Sequence, residues 1–198
     1  MWSRVVLVFV MTFLSVSSFA EEWFQGSVVL KSKSVLRGEI SVKHGYDVVF
    51  FRVADQISVI PAFKIAYLNI FDEDLEAERR FVSLNIGVGA ARTYQFFELL
   101  VDGEVTILRR QLTLWYSLHL DLTDYEYYVL YDEEIQGLHK FKKKIYPTLV
   151  DKSDGAIESY VKSNQLSTKS VDDIVDMSSY YNDYVTGKLQ FAKNEVQD

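Results

Sequence analysis

Cysteine does not occur in this sequence of 198 residues, and only two residues are proline. Without cysteine the chain has neither a disulfide framework nor the residue that a lipoprotein signal needs for acylation. A chain of this length that cannot rely on disulfides must bury an apolar core. Aromatic residues, which make up 15% of the sequence, supply the material for such a core.

Histidine and catalytic motifs are also scarce. The three histidines are His44, His119 and His139, none of them lies in a catalytic motif, and the sequence has no G-x-S-x-G segment. Nucleophilic catalysis needs a nucleophile, a base and a group that orients the base. The pattern therefore predicts an ordinary turn or surface residue at each of these three positions, and it indicates no cofactor.

Basic residues are outnumbered by acidic ones, with 21 Lys and Arg against 28 Asp and Glu, and the formal net charge is −7. A dedicated nucleic-acid binder needs a basic face that contacts the phosphates. We therefore expect no nucleic-acid partner.

The sequence has one long apolar run, and it lies at the N-terminus. Val5 to Val16 is uncharged and follows Arg4, and the small residues Ser18 and Ala20 stand where a signal peptidase would recognise them. Because this run has about a dozen residues and a spanning helix needs roughly 20, it predicts a signal peptide over residues 1–20, cleaved after Ala20. The mature chain of 178 residues, with a net charge of −8, is then periplasmic or secreted and has no transmembrane segment.

Residues 21–72 carry the pattern of five short strands separated by turns. Pro61, which has no N–H for a sheet ladder, interrupts the pattern before the last strand. The segments Gly26-x-Val28 and Leu36-x-Gly38-x-Ile40 resemble the first two strands of small Sm-like five-stranded barrels, in which a glycine lets the second strand bend. The resemblance implies a small N-terminal β-barrel.

Asp102-Gly103 stands between two apolar runs and gives the clearest local pattern. Asp-Gly is typical of a two-residue hairpin turn, because both turn positions need a positive φ. The corresponding register places Glu98 diagonal to Arg109, where the two side chains can pair. We expect this hairpin to belong to an antiparallel meander over residues 73–137.

The pattern becomes helical after the meander. Pro147 is predicted to stop a short segment that contains a lysine run. Ser153-Asp154-Gly155 is predicted to open a helix, and Ser170 with Asp173 has the spacing of a capping box for the last helix. That last helix carries a continuous stripe of Val171, Ile174, Val175, Ser178 and Tyr181.

The predicted fold is α+β, with a small N-terminal β-barrel followed by an antiparallel β-meander and two or three C-terminal helices packed on it. The predicted boundaries are 1–20 for the signal peptide, 21–72 for the barrel, 73–137 for the meander, 138–186 for the helical part and 187–198 for a polar tail.

Several segments of the second half carry a broader resemblance. They are Phe97-Glu98-x-Leu100-x-x-Gly103, Leu108-x-Arg110, Pro147-x-Leu149-x-Asp151-Lys152, Ile157-x-x-Tyr160-x-Lys162-x-Asn164-x-Leu166, and Asp173-Ile174 followed by Tyr180-Tyr181-Asn182. Over most of the mature chain the sequence resembles a group of uncharacterised secreted proteins of the Bacteroidota. The resemblance supports export and implies no activity.

Paired carboxylates that act on a sugar are one candidate chemistry. The sequence has three acidic groups in predicted connections: Asp72, Glu73, Asp74 and Glu76; Asp121, Asp124 and Glu126; Asp132, Glu133 and Glu134. Their spacing does not match a calcium-binding EF-hand loop. Solvated turns are the usual place for such runs, so a hydrolase is the alternative function and not the principal one.

A lysine run and a tyrosine cluster are the candidates for an interaction surface. The residues are Lys140, Lys142, Lys143 and Lys144 in the run and Tyr127 and Tyr128 in the cluster. Lysines interleaved with aromatic residues suit an anionic partner; the alternative is a solvated face whose lysine stems cover apolar surface. Tyrosines favour binding surfaces; the alternative is that they pack against Tyr180, Tyr181 and Tyr184 of the last helix.

The sequence best fits an exported, non-catalytic binding or interaction protein of the cell envelope, with an envelope protein or a surface glycan as its partner. The alternatives are a hydrolase that acts on surface polysaccharide through acidic loops and a carrier of a small apolar ligand. The lining of a cleft separates these classes. Convergent carboxylates favour the enzyme, a dry apolar cavity the carrier, and an aromatic patch the interaction protein.

Overall fold

Within the residues that the structure describes, runs rich in β-branched and aromatic residues form ten strands, and three helices follow them, so the fold class is α+β. The computed structural model describes residues 22–87, 93–111 and 125–187. The strands are β1 Phe24–Leu30, β2 Val35–Lys43, β3 Val48–Val53, β4 Gln56–Pro61, β5 Ile65–Asp72, β6 Ala77–Ile86, β7 Thr93–Val101, β8 Thr106–Gln111, β9 Tyr125–Tyr131 and β10 Glu134–Gly137. The helices are α1 Tyr146–Lys152, α2 Ala156–Ser163 and α3 Val171–Val185.

All ten strands belong to one antiparallel sheet with the order β10-β9-β8-β7-β6-β5-β1-β2-β3-β4. The sheet is not closed into a barrel, and the small N-terminal barrel predicted over residues 21–72 is not seen as a closed unit. The reason is the pairing of β5, which lies between β1 and β6 and so has no free edge for β4. Within the described residues, β4 pairs with β3 alone and is an edge strand.

The hairpin predicted at Asp102-Gly103 is present, but its register and turn differ from the prediction. Glu98 lies directly opposite Arg109 instead of diagonal to it, and the register shifts between Leu99 and Val101. The connection between β7 and β8 spans residues 102–105, so the two-residue turn is wrong.

Two apolar clusters lie on the same face of the sheet, which we call the covered face. The N-terminal cluster consists of Val28, Ile40, Val49, Phe51, Ile60, Ala62, Ile65, Leu68, Ile70, Phe81 and Phe96. The helix cluster consists of Val101, Val105, Ile107, Val129, Leu138, Phe141, Ile145, Leu149, Ile157, Ile174, Met177 and Tyr181. Residues directly opposite each other, such as Phe81 and Glu98 or Ile107 and Val129, point to the same face.

The strands of the N-terminal half bend back over their own sheet. In the turn between β2 and β3, Asp47 accepts a hydrogen bond from the Phe96 N–H at 3.0 Å and one from Arg110 Nη2 at 3.1 Å. The Ser83 hydroxyl donates to the carbonyl of Ala62 at 2.7 Å, which ties the segment after β4 to β6. These bonds hold β1–β4 over β6–β8 without closing the ladder.

The helix starts follow the sequence with one exception. Ser170 caps α3 by accepting a hydrogen bond from the Asp173 N–H at 3.3 Å, and Asp173 accepts one from the Ser167 N–H at 2.8 Å. Pro147, predicted to stop a segment, instead lies in the first turn of α1. A proline is tolerated there because the first N–H groups of a helix have no intrahelical partner. Among the helices described, none is long and apolar enough to cross a membrane.

Candidate functional site

A cleft of about 740 Å³ opens between β9, residues 137–142 and the start of α3. It is lined by Glu126, Tyr127, Tyr128, Gly137, Leu138, His139, Lys142, Thr168, Lys169, Val171 and Ile174. The lining therefore combines tyrosines, basic side chains, aliphatic residues and a single carboxylate among the described residues.

The short length of β10 shapes this cleft. Its four residues pair with the half of β9 that runs from Tyr128 to Tyr131. The other half, Tyr125–Tyr127, pairs with β8 on one side, and no described strand pairs with its outer edge. In an antiparallel strand, alternate residues direct both backbone polar groups to the same edge. The cleft therefore borders strand backbone whose hydrogen-bonding groups on that side have no strand partner among the described residues.

Gly137 allows His139 to lie close to the main chain at the cleft. A Cβ atom at this glycine would come within 2.6 Å of Cε1 of the His139 ring. Leu138 and Phe141, which precede and follow His139 in the chain, are buried in the helix cluster. The chain thus directs apolar residues inward and leaves the exposed His139 at the cleft.

Lys142 and Lys169 supply positive charge on two sides of the cleft. Both side chains are exposed, and neither ammonium group has a carboxylate partner among the described residues. The carboxylate of the cleft, Glu126, accepts a short hydrogen bond from the Tyr128 hydroxyl. Burial, aided by this carboxylate, raises the pKa of Tyr128 to about 12, so the phenol keeps its proton at neutral pH.

Three of the six residues predicted from the sequence meet in the cleft, namely Lys142, Tyr127 and Tyr128. Lys140, Lys143 and Lys144 are exposed and do not line it. A single π-helical turn, Phe141–Ile145, buries its two end residues and directs the three lysines between them outward, as expected for a solvated face.

The sequence interpretation missed the contribution of α3 to the cleft. Thr168, Lys169 and Val171 come from the helix start that Ser170 caps, and they reach β9 only because α3 packs on the sheet. The capping signal located this helix start, but no local pattern indicated that Lys169 would lie across a cleft from Lys142.

The tyrosines divide between the core and the cleft. Tyr181 is fully buried, its hydroxyl donates to Glu104 Oε1 at 3.1 Å, and burial raises its pKa to about 12. Tyr180 stacks on Tyr160 with ring centroids 3.9 Å apart. Tyr128 lies on the other face of the sheet and packs edge-on against Phe97 at 5.3 Å. Tyr180 and Tyr181 therefore pack within the helical part of the fold, whereas Tyr128 packs on Phe97 and not on them.

The described acidic runs do not converge on one site. Glu73, Asp74 and Glu76 are exposed around the β5–β6 turn, and Asp132 and Glu133 form the β9–β10 turn. Strands β6 and β9 are three strand spacings apart, on the order of 14 Å, whereas paired glycosidase carboxylates lie within about 10 Å. Asp121 and Asp124 fall outside the described residues. The described residues contain no group of three or more Asp, Glu or His that could hold a metal ion.

Asp72, Arg79, Glu98 and Arg109 form a charge-balanced group on the covered face, which we call the ion network. Glu98 accepts paired hydrogen bonds from Arg79 at 2.9 and 3.0 Å and from Arg109 at 2.8 and 2.9 Å. Arg79 also donates to Asp72 at 2.8 Å. Burial by itself raises the pKa of Glu98, but the hydrogen bonds from the two arginines outweigh it and lower that pKa. With every carboxylate matched, the network has the character of a structural element.

The two histidines that the structure describes, His44 and His139, occupy different settings. His44 lies against Phe81 with ring centroids 5.5 Å apart. Burial, together with the charges of Arg110 and Arg79, lowers the pKa of His44 to about 4. His139 lines the cleft, and His119 falls outside the described residues.

No protein-family model matches the sequence, and neither the curated proteins nor the solved structures contain a match. The resemblance to secreted proteins of the Bacteroidota and the resemblance to Sm-like barrels therefore stay predictions.

Proposed function

We propose that this protein is an exported, non-catalytic binding protein of the cell envelope that holds an extended, acidic segment of a partner protein in the cleft. The observation that carries this proposal is the edge of Tyr125–Tyr127, which borders a cleft lined by Tyr127, Tyr128 and basic side chains. An extended peptide that lies along such an edge gains main-chain hydrogen bonds, and the adjacent side chains select its sequence.

The charges at the cleft favour an acidic ligand. Lys142, Lys169 and His139 contribute donors, while the Glu126 carboxylate already accepts a hydrogen bond from the Tyr128 hydroxyl. Carboxylate–ammonium hydrogen bonds are stronger than neutral ones. The chain as a whole carries a net charge of −7, so attraction of an acidic ligand depends on this local excess of positive charge.

The lining favours binding over catalysis and over transport of an apolar ligand. The described part of the cleft has one carboxylate, which is too few for the two-carboxylate mechanism. Charged and aromatic groups at its rim do not make the dry apolar cavity of a carrier. The export signal predicted over residues 1–20 supports the envelope as the place where the partner is met.

Fluorescence anisotropy of a labelled octapeptide of alternating valine and glutamate tests the proposal. The matched peptide has glutamine in place of glutamate. We expect saturable binding of the acidic peptide and weaker binding of the neutral one. The variant Lys142→Glu/Lys169→Glu should lose about tenfold or more in affinity, because two attractive charges become repulsive.

The control variant is Lys140→Glu/Lys144→Glu, which makes the same charge change outside the cleft. It should retain binding within about twofold, since neither side chain lines the cleft and exposed charges are screened by salt. Equal losses in the two variants would show attraction without a site, and absence of saturable binding up to about 1 mM would remove the peptide proposal.

A further inference from the structure

Strand β4 is an uncharged edge strand exposed to solvent. Its sequence from Gln56 to Pro61 has no charged residue, and its first four residues are all exposed. Ile57 and Val59 are 56% and 58% exposed and, two residues apart, point to the same side of the strand.

Edge strands in soluble proteins usually carry a device that prevents pairing with another chain, such as a charge, a bulge or a covering segment. At the opposite edge of the sheet, β10 has only four residues, includes Glu134, and continues into a segment that is anchored in the helix cluster by buried Leu138, Phe141 and Ile145. Among the described residues, β4 has none of these features, and Pro61 stands only at its end.

We propose that β4 is a dimerisation edge, which pairs antiparallel with β4 of a second copy of this chain around a two-fold axis at Ser58. In this register Ile57 lies opposite Val59 of the other copy, and the same contact occurs twice because the interface is isologous. The ladder then ends with Pro61 opposite Asp55, where no further N–H is required.

A second copy fits this strand better than a charged partner does. Because β4 has no charged residue, self-pairing brings no like charges together across the axis. The register also covers the two apolar side chains that the single copy leaves more than half exposed. Cross-strand pairs of β-branched residues are among the stabilising pairs of a sheet.

A cysteine scan tests the register directly, because the chain has no native cysteine. Residues opposite each other have Cα atoms about 4.5–5.5 Å apart, which is within the range of a disulfide. Ser58→Cys should therefore form a disulfide-linked dimer under mild oxidation. Gln56→Cys should not, because its copies would lie roughly 13 Å apart along the strand.

Sedimentation equilibrium of the mature chain between about 1 and 100 µM measures the association itself. The wild type should show a reversible monomer–dimer equilibrium. Ile57→Lys/Val59→Lys places lysine opposite lysine and should be monomeric, whereas Ile57→Lys/Val59→Glu places lysine opposite glutamate and should dimerise again. Val35→Lys, at an exposed valine of β2, is the control that should behave as wild type.

A wild type that stays monomeric throughout this range would overturn the proposal. So would equal cross-linking at positions 56 and 58, or association of the double-lysine variant to the wild-type extent. Melting temperatures measured at the lowest concentration should agree among these variants, because the substituted side chains are exposed in the single copy.

Discussion

The two apolar clusters cover one face of a single sheet by different means. In the N-terminal cluster the sheet covers itself, since β1–β4 bend over β6 and β7 and only the short 62–64 segment is helical. In the helix cluster, α1–α3 and the residues that lead into them cover β7–β9. The comparison shows that a long sheet can bury one face without closing, provided that something covers each half.

The ion network lies at the boundary between the part of the sheet that is covered by strands and the part that is covered by helices. Phe81 belongs to the N-terminal cluster and Ile107 to the helix cluster, and Glu98 and Arg109 lie between them on the same face. Apolar packing is interrupted at this point, and the matched charges occupy the interval. The ion network therefore connects the two clusters. Without it, we expect the N-terminal cluster and the helix cluster to unfold less cooperatively with each other.

Removal of α3 should have the largest effect. A chain truncated after Leu166 loses Ile174 and Met177, whose burial contributes about 3–6 kcal/mol, and fully buried Tyr181 as well. Because a domain of this size has about 5–15 kcal/mol of stability in total, we expect no cooperative unfolding transition by calorimetry. A chain that ends at Thr186, without the polar tail, should melt like the full mature chain.

A truncated chain that unfolds in one transition at the original temperature would show that α3 does not stabilise the sheet. Survival of a transition at reduced enthalpy would show that the N-terminal cluster folds independently. The comparison of the two clusters predicts the loss of both, because β7 contributes to each of them.

Glu98→Gln should have the next largest effect. The substitution leaves Arg79 and Arg109 without their shared carboxylate, and breaking a buried pair in this way typically costs about 3–5 kcal/mol. The control is Glu39→Gln, which removes a carboxylate paired with Arg52 at 2.5 and 2.9 Å at a more exposed place. Chemical denaturation should give a much smaller change for the control; equal changes would contradict the special role of the network.

The sequence predicted the elements that depend on local interactions. The capping pair Ser170 and Asp173 located the start of α3 correctly, since the hydrogen bond that it predicts joins residues three positions apart. Glu98 and Arg109 were recognised as partners because the hairpin is short. The prediction of a barrel was wrong because closure depends on which strand pairs with the second edge of β5, and the local pattern of β5 does not encode this.

The misplaced turn and the incomplete site have the same physical origin. Oδ1 of Asn182 accepts a hydrogen bond from the backbone N–H of Val105 at 2.9 Å, although the two residues are 77 positions apart in the chain. This bond holds the wider β7–β8 connection. Lys169 likewise joins the cleft only through the packing of α3. The hydrogen bond to Asn182 and the position of Lys169 both depend on contacts between segments far apart in the sequence. The residue pattern of a single segment cannot predict such contacts.

His44 should give a pH dependence of intermediate size. Its pKa is about 4 in the folded chain and about 6.5 when unfolded. The unfolded chain therefore binds more protons between these values, and stability is lost as the pH falls through this window. The loss should reach about 2–3 kcal/mol at pH 4.

Urea denaturation of wild type and His44→Gln at pH 7.0, 6.0 and 5.0 measures this effect. Above pH 5 the carboxylates with lowered pKa values, such as Glu98 and Asp72, stay ionised and do not contribute to the difference. The variant should lose less stability than the wild type over this range. If wild type and variant lose the same stability between pH 7.0 and 5.0, His44 is protonated over this range in the folded chain as readily as in the unfolded chain, and its pKa is not lowered.

Gly103→Val should have the smallest of these effects, about 1–3 kcal/mol. Gly103 has φ near 151°, and a Cβ atom there would lie 2.4 Å from Nδ2 of Asn182, the side chain that also donates to the carbonyl of Val105 at 2.8 Å. The matched substitution is Gly155→Val, at a glycine with φ 78° and no atom within 4 Å of the added Cβ. Both variants carry backbone strain, so the additional loss of melting temperature at Gly103 measures the contact with α3.

This additional loss should disappear when Asn182→Ala is introduced into both glycine variants, because the side chain that the valine at position 103 displaces is then absent. If it persists, the β7–β8 connection is not held by α3, and the link between the hairpin and the helix cluster is wrong.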